Sequence, residues 1–154
     1  MSSTLTVTGA PRPIIVDDRL LGHLSKFRWY YHRGYVATTL NKNILKRPIN
    51  IRLENFILDI SPARRAKIYH RLKDFFDFQT TSLRVTRDQY LGIYQDSNEH
   101  WHARYLYNFD GPFGTAFTAA EAYDNLIISL PILPINPKLN FLHNLIQGQN
   151  ICKT

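Results

Sequence analysis

Between residues 90 and 130 the chain changes from strand-like runs to a helical period, and that change limits the folds open to it. Runs rich in aromatic and β-branched side chains at 90–94, 100–107 and 113–117 are separated by the polar turns 95-QDSNE-99 and 108-NFDGP-112. Short runs of that kind, closely joined, predict strands that pair as antiparallel neighbours. Residues 118-TAAE-121 then match a capping box, in which a Thr hydroxyl and a Glu carboxylate satisfy the free N–H groups of a helix start. Ala122, Tyr123, Leu126, Ile127 and Leu130 carry the helix onward. The pattern predicts a three-stranded antiparallel sheet with one helix across it, in an α+β chain. Strand alternation turns Trp101, Ala103 and Tyr105 toward the helix. It leaves His102, Arg104 and Leu106 outside, joined by Tyr94 and Phe113 from the neighbouring strands.

Upstream, residues 14–40 read as strand, short helix and hairpin. Asp17 or Asp18 caps the helix bearing Leu20, Leu21 and Leu24, and Gly34 breaks the hairpin between 28–32 and 35–40. A further short strand is expected at 49–53. Ser61 as N-cap and Pro62 in the first turn predict a helix over 61-SPARRAKIYHRLKDFF-76. Its packing side is Ile68, Leu72, Phe75 and Phe76, ringed by Arg64, Arg65, Lys67, Arg71 and Lys73. After 130 come three prolines and an amphipathic stretch, Leu139, Phe141, Leu142, Leu145 and Ile146. That stretch docks on the chain's own core, or else offers a partner-binding helix over 137–147. Three segments result: a basic unit at 1–88, the sheet and helix at 89–130, and a Pro-rich tail at 131–154.

Charge is divided unevenly. Residues 1–87 hold 16 Lys/Arg against 6 Asp/Glu, a net of +10; residues 88–154 hold 3 against 6, a net of −3. A basic half of this kind points to a polyanion, nucleic acid first. The single Cys152 excludes an internal disulfide framework and a Cys-rich zinc site. His100 and His102 read as a surface pair as readily as a ligand pair. No apolar run has membrane-spanning length, and residues 1–13 lack the pattern of a signal peptide, so a cytoplasmic protein is expected.

Three pieces in order carry a resemblance. They are 16-VDDRLLGHLSKFRWYYHRGYVATTL-40, 69-YHRLKDFFDFQTTSLRVT-86, and 91-LGIYQDSNEHWHARYLY-107 with 117-FTAAEAYDNLI-127. Together they resemble phage and intron-encoded HNH homing endonucleases that carry an ethylene-response-factor-like DNA-binding domain. The middle piece is similar to a motif reading Asp-His-Ile-Asn-Gly, then Asn-Leu-Arg and a Val-Thr pair. The resemblance implies a ββα nuclease unit with His70 as general base, followed by a DNA-reading sheet. It also exposes losses. Tyr69 stands where the motif has its metal-binding Asp, Ser82 replaces the Asn of Asn-Leu-Arg, and Arg52 replaces an early strand His. Gln89 and Tyr90 lie where a second Asn ligand is expected.

A hard metal such as Mg²⁺ needs those oxygen ligands. The expectation is therefore a degenerate, non-catalytic DNA-binding protein, phage-encoded, acting in the bacterial host cytosol without a cofactor. Its nucleic-acid contacts are placed at Arg52, Arg64, Arg65, Lys67, Arg71, Lys73, Arg84 and Arg87, with Tyr94, His102, Arg104 and Phe113 on the sheet. One Arg on that sheet face suits unpaired bases or a protein better than a duplex. Two alternatives stay open. One is an active Mg²⁺-dependent nicking endonuclease using Asp74 or Asp77. The other is a phage interaction factor acting on polymerase or host defence through the 90–117 sheet face or the 137–147 helix.

Overall fold

A computed structural model describes residues 1–146; Cys152 and the end of the 137–147 stretch lie outside them. The chain is α+β, built from four small sheets and four helices among the described residues. β1 (Ser2–Leu5) pairs antiparallel with β3 (Ile14–Asp17), which runs into α1 (Asp18–Leu24). β2 (Val7–Thr8), β4 (Trp29–His32), β5 (Tyr35–Leu40) and β6 (Ile49–Arg52) form a four-stranded sheet that continues into α2 (Leu53–Leu58). Arg33 and Gly34, with φ of 49° and 86°, make the two-residue turn between β4 and β5. Two positive φ values in succession match the right-handed twist of a hairpin. Trp29 is buried, and its indole N–H donates to the Leu24 carbonyl at 2.8 Å. Asp17 does precede α1, but its carboxylate caps nothing; it accepts from the Thr80 N–H at 3.1 Å and the Thr80 hydroxyl at 2.7 Å.

The helix expected over 61–76 is not there. β7 (Arg65–His70) pairs antiparallel with β8 (Leu83–Gln89), in the register Ile68 to Val85, Tyr69 to Arg84 and His70 to Leu83. The period is two: Arg65, Lys67 and Tyr69 are exposed while Ala66, Ile68 and His70 turn inward. A β-prone partner, LRVT, lies 13 residues downstream to complete the ladder. Ser61 caps only a bend, accepting from the Ala63 N–H at 3.2 Å while its hydroxyl donates to the Leu139 carbonyl. Tertiary pairing has overridden a local N-cap signal. After β8 the chain passes through Tyr90 and Gly92 into another strand, so of a ββα unit it carries the hairpin without a following helix.

β9 (Ile93–Gln95), β10 (Trp101–Tyr105) and β11 (Asn108–Phe113) form the expected antiparallel sheet, with α3 (Ala116–Ile128) across it. Two boundaries differ. The second turn is Leu106–Tyr107, so that Tyr105 pairs directly with Asn108 and NFDGP becomes strand. The helix begins earlier, because the Thr115 hydroxyl accepts from the Thr118 N–H at 3.2 Å and makes Thr115 the N-cap. Gly92 sits under the Tyr123 ring with φ of 69°; a Cβ there would lie 1.8 Å from the ring. No side chain fits at that approach.

The tail docks on the chain's own core. Leu139, Phe141, Leu142 and Leu145 are buried, the last two on α4 (Leu142–Leu145). The apolar side of the 137–147 stretch is therefore spent inside the molecule, which removes it as a partner-binding helix. Buried residues from all three segments, among them Trp29, Ala103, Ile127 and Leu142, form one cluster. No helix among the described residues is long and apolar enough to cross a membrane.

Asp124 is fully buried and holds this junction. Its carboxylate accepts from the N–H groups of Asn140 (2.8 Å) and Phe141 (3.0 Å) and from the Asn144 amide (2.9 Å). Asp124→Ala strands those donors away from water, at about 1–3 kcal/mol for each group left unpaired. Urea unfolding is expected to show a loss of about 3 kcal/mol or more, against under 1 kcal/mol for Asn125→Ala on the exposed side of the same helix.

Candidate nucleic-acid interface

The hairpin puts most of the expected cations on one side. Arg65, Lys67, Tyr69 and Arg71 project from β7 and its end, and Arg84 and Arg87 project from β8 beside them. A shallow groove of about 700 Å³ over this surface is lined by Lys67, Tyr69, His70, Arg71, Arg84, Thr86 and Arg87. Its lining contains no carboxylate. None of Arg65, Lys67, Arg71, Lys73, Arg84 or Arg87 has an acidic partner within ion-pair distance among the described residues. Arg52 lies over the Tyr35 ring at 4.7 Å and lines a smaller pocket, about 280 Å³, shared with Lys67 and Tyr69.

Arg64 does not belong to this surface. It is 8% exposed, is held bidentate by Asp88, and its guanidinium lies 4.2 Å from the Tyr90 ring centroid and 5.6 Å from that of Phe141. A helix would have placed it among the cations; in the strand geometry it precedes β7 and turns into the core. Its partner Asp88 carried no signal in the sequence beyond its charge.

His70 lies at the wall of the groove. Its Nδ1 is 3.0 Å from the Asp77 backbone carbonyl, and its ring meets Phe78 edge-on at 4.8 Å. A carbonyl only accepts, so Nδ1 carries the hydrogen and Nε2 of the neutral ring keeps its lone pair. No carboxylate hydrogen-bonds to this ring among the described residues. The Asp77 side chain is taken by the Ser82 hydroxyl (2.7 Å) and the Gln79 N–H (3.0 Å). Partial burial pushes the Asp77 carboxyl up, and these donors with the nearby His70 outweigh it, so it ends below its ordinary value. Asp74 accepts from the Phe76 N–H at 3.1 Å and pairs with Arg12. Both candidate rescue carboxylates are thus committed to other partners, Asp77 within the loop and Asp74 to Phe76 and Arg12, and the residues present do not fit a hard divalent ion. Among the described residues no three His, Cys, Asp or Glu side chains converge as ligands.

Glu54 on α2 was not foreseen. One carboxylate oxygen is buried without a hydrogen-bond partner; burial pushes this carboxyl up, while Arg52 and His70 pull it back. Nothing in the local pattern around it separates Glu54 from a solvated acid.

The outer face of the β9–β11 sheet also differs from expectation in one member. Tyr94 stacks on His102 with ring centroids 5.2 Å apart, and Arg104 lies 5.2 Å from the Phe109 ring. Phe113 is turned into the core, because the ladder has a bulge between Trp101 and Ala103 that reverses its facing. Phe109 takes the outer position instead. His102 Nε2 is 2.7 Å from Asp96, and His100 approaches the same carboxylate at 3.9 Å, so the two imidazoles gather round an acid. The tail leaves this face open: Tyr94 and Phe109 remain exposed.

The bond from His102, with the backbone donors of His100 and Asn98, outweighs the opposing desolvation and holds the Asp96 carboxyl below its ordinary value. A depressed acid contributes stability above its ordinary pKa and loses it as pH falls through the lowered one. His102→Ala should return the Asp96 titration upward in a carbon-detected NMR series. An unmoved Asp96 would show that the backbone donors of Asn98 and His100 hold it alone.

No family model, curated protein or solved structure matches this chain, so what the interface does rests on its own geometry.

Proposed function

We propose that this protein binds DNA through the exposed face of the β7–β8 ribbon and does not cut it. The observation that carries this reading is the row of unpaired cations around Tyr69, in a groove free of carboxylates. Charges held so close cost self-repulsion unless a polyanion neutralises them. A two-stranded ribbon is also one of the shapes the major groove of a duplex admits. The likeness to HNH nucleases supports the same reading at the backbone. His70 ends the first strand, and Lys73 adopts φ of 55°, a glycine-favouring conformation, at the motif's Gly position. On that likeness the protein is a phage-encoded descendant of a nuclease, working in the host cytosol. The loss of function follows from Tyr69 and from Asp74 and Asp77 being used elsewhere: a base with no metal to hold the scissile phosphate cannot drive this hydrolysis.

The stacked Tyr94–His102 and Arg104–Phe109 pairs favour a second contact, for unpaired bases, since aromatic platforms need a free base face. Tyr94→Ala with Phe109→Ala should leave duplex affinity nearly unchanged and weaken single-strand binding about tenfold, the effect of one stacked base. Loss of duplex binding alone, with the circular dichroism intact, would make this sheet the groove reader.

Each phosphate contact removed should lower the salt slope by about 0.9. Arg65→Gln, Lys67→Gln, Arg84→Gln and Arg87→Gln together are therefore expected to lower it by about three to four, equally for all sequences. Arg64→Gln should cost stability and leave the slope alone. A slope unchanged in the quadruple variant removes the ribbon as the contact. Supercoiled plasmid should stay intact with Mg²⁺ or Mn²⁺; nicking that vanishes in His70→Ala would restore the enzyme.

A further inference from the structure

The loop joining β7 to β8, residues 71–82, contains four large apolar side chains, and the fold divides them in pairs. Phe78 is buried, and Phe76 stacks on Tyr31 at 5.8 Å with the Arg12 guanidinium over its ring at 4.4 Å. Leu72 and Phe75 remain exposed, at 81% and 59%, with the Phe75 ring meeting the His70 ring edge-on at 5.6 Å. The loop is not loose. Its ends are joined by the Arg71 N–H on the Ser82 carbonyl at 2.8 Å. It is stitched to β3 by Ile15 N–H to Phe76 O (2.9 Å) and Phe78 N–H to Ile15 O (2.8 Å), and the Asp74 and Asp77 carboxylates brace its turns. A braced loop that leaves Leu72, and most of the Phe75 ring, in water keeps a hydrophobic cost that the single edge contact with His70 does not offset.

From this we infer that Leu72 and Phe75 form a wedge that enters a base step of the duplex held by the ribbon. The inference rests on the DNA-binding reading and adds the mode of contact. Charge selects the occupant. Leu72 lies between the exposed Arg71 and Lys73, and Arg71 also lines the cationic groove, so the apolar tip and the phosphate-binding surface are continuous. Apolar wedges of Leu and Phe between base steps kink the duplex and widen the contact, at the cost of unstacking. A bilayer would also take an apolar tip flanked by cations. The ribbon's cations, however, run back from Arg71 to Arg65, roughly 20 Å at about 3.3 Å per residue. A duplex follows that length; a tip set into a bilayer leaves most of it in water.

The test uses the full chain and duplexes carrying 2-aminopurine at a TA step, the easiest kind of step to unstack. Binding of the parent should raise the 2-aminopurine fluorescence. Leu72→Ala with Phe75→Ala should abolish the rise and weaken duplex binding tenfold or more, with the salt slope unchanged. Leu72→Ala alone, at the more exposed position, should lower the rise in a protein whose thermal unfolding matches the parent. Duplex binding with no rise, or a double variant indistinguishable from the parent, overturns the wedge and leaves the ribbon reading standing. If the parent binds no duplex at low salt, the ribbon reading fails and the wedge with it. Vesicles of equal phosphatidylserine and phosphatidylcholine complete the set. Vesicle binding lost in the double variant, with DNA binding untouched, would make the tip a membrane contact.

Discussion

The carboxylate of Asp124 is the interaction on which the arrangement of this chain depends. It lies on the inner side of α3 with no exposure and receives the N–H groups of Asn140 and Phe141 and the Asn144 amide. Asn140, also buried, returns bonds to Leu91, accepting its N–H at 2.6 Å and donating to its carbonyl at 3.1 Å. One acid and one amide thus tie the helix, the strand entry and the tail at a single point. Burial raises the Asp124 carboxyl and these donors oppose the rise. A buried polar network is worth having only when every member is satisfied, and this one is. Its consequence is positional: Phe141 is held where Arg64 can lie over it.

Arg64 then carries the order to the ribbon. Paired with Asp88 and lying against the rings of both Tyr90 and Phe141, it ties the entry of β7, the end of β8 and the tail together. A buried ion pair of this kind is a weak source of net stability, because desolvation offsets much of the attraction. Its value here is register. With Arg64 fixed inward, alternation sends Arg65, Lys67 and Tyr69 outward, and the cationic face follows.

Much of this was legible in residues 89–130, where short runs, polar turns and a helix period leave few arrangements. The misreadings have local causes. Ser61-Pro62 is a genuine cap signal, and helix and strand both explain Ile68 among cations; only the pairing with Val85, 17 residues away, decides between them. Thr118 looked like the cap because Glu121 completes the box, whereas Thr115, lacking such a partner, does the capping. Phe113 faces inward, and Phe109, expected in a turn, takes the outer place, through one bulge that alternation alone does not register. The cations Arg65, Lys67, Arg71, Arg84 and Arg87 are exposed, since a charged side chain stays in water in either element. Arg64 shows the limit of that rule: a paired, stacked guanidinium goes inside.

The charge count of the second half now has a different meaning. A net of −3 over residues 88–154 suggests repulsion of any polyanion drawn to the first half. Two of its six acids do not act that way. Asp88 is neutralised by Arg64, and Asp124 is sealed beneath the tail. None of the six lines the groove over the ribbon. Exposed charges further than about 8 Å apart are largely screened at physiological salt. The field that a phosphate backbone meets at β7 and β8 is therefore set by the unpaired Arg and Lys side chains around Tyr69. The acidic half opposes it far less than its formal charge implies, and on the proposed reading the ribbon, rather than the aromatic sheet, is the surface a duplex approaches.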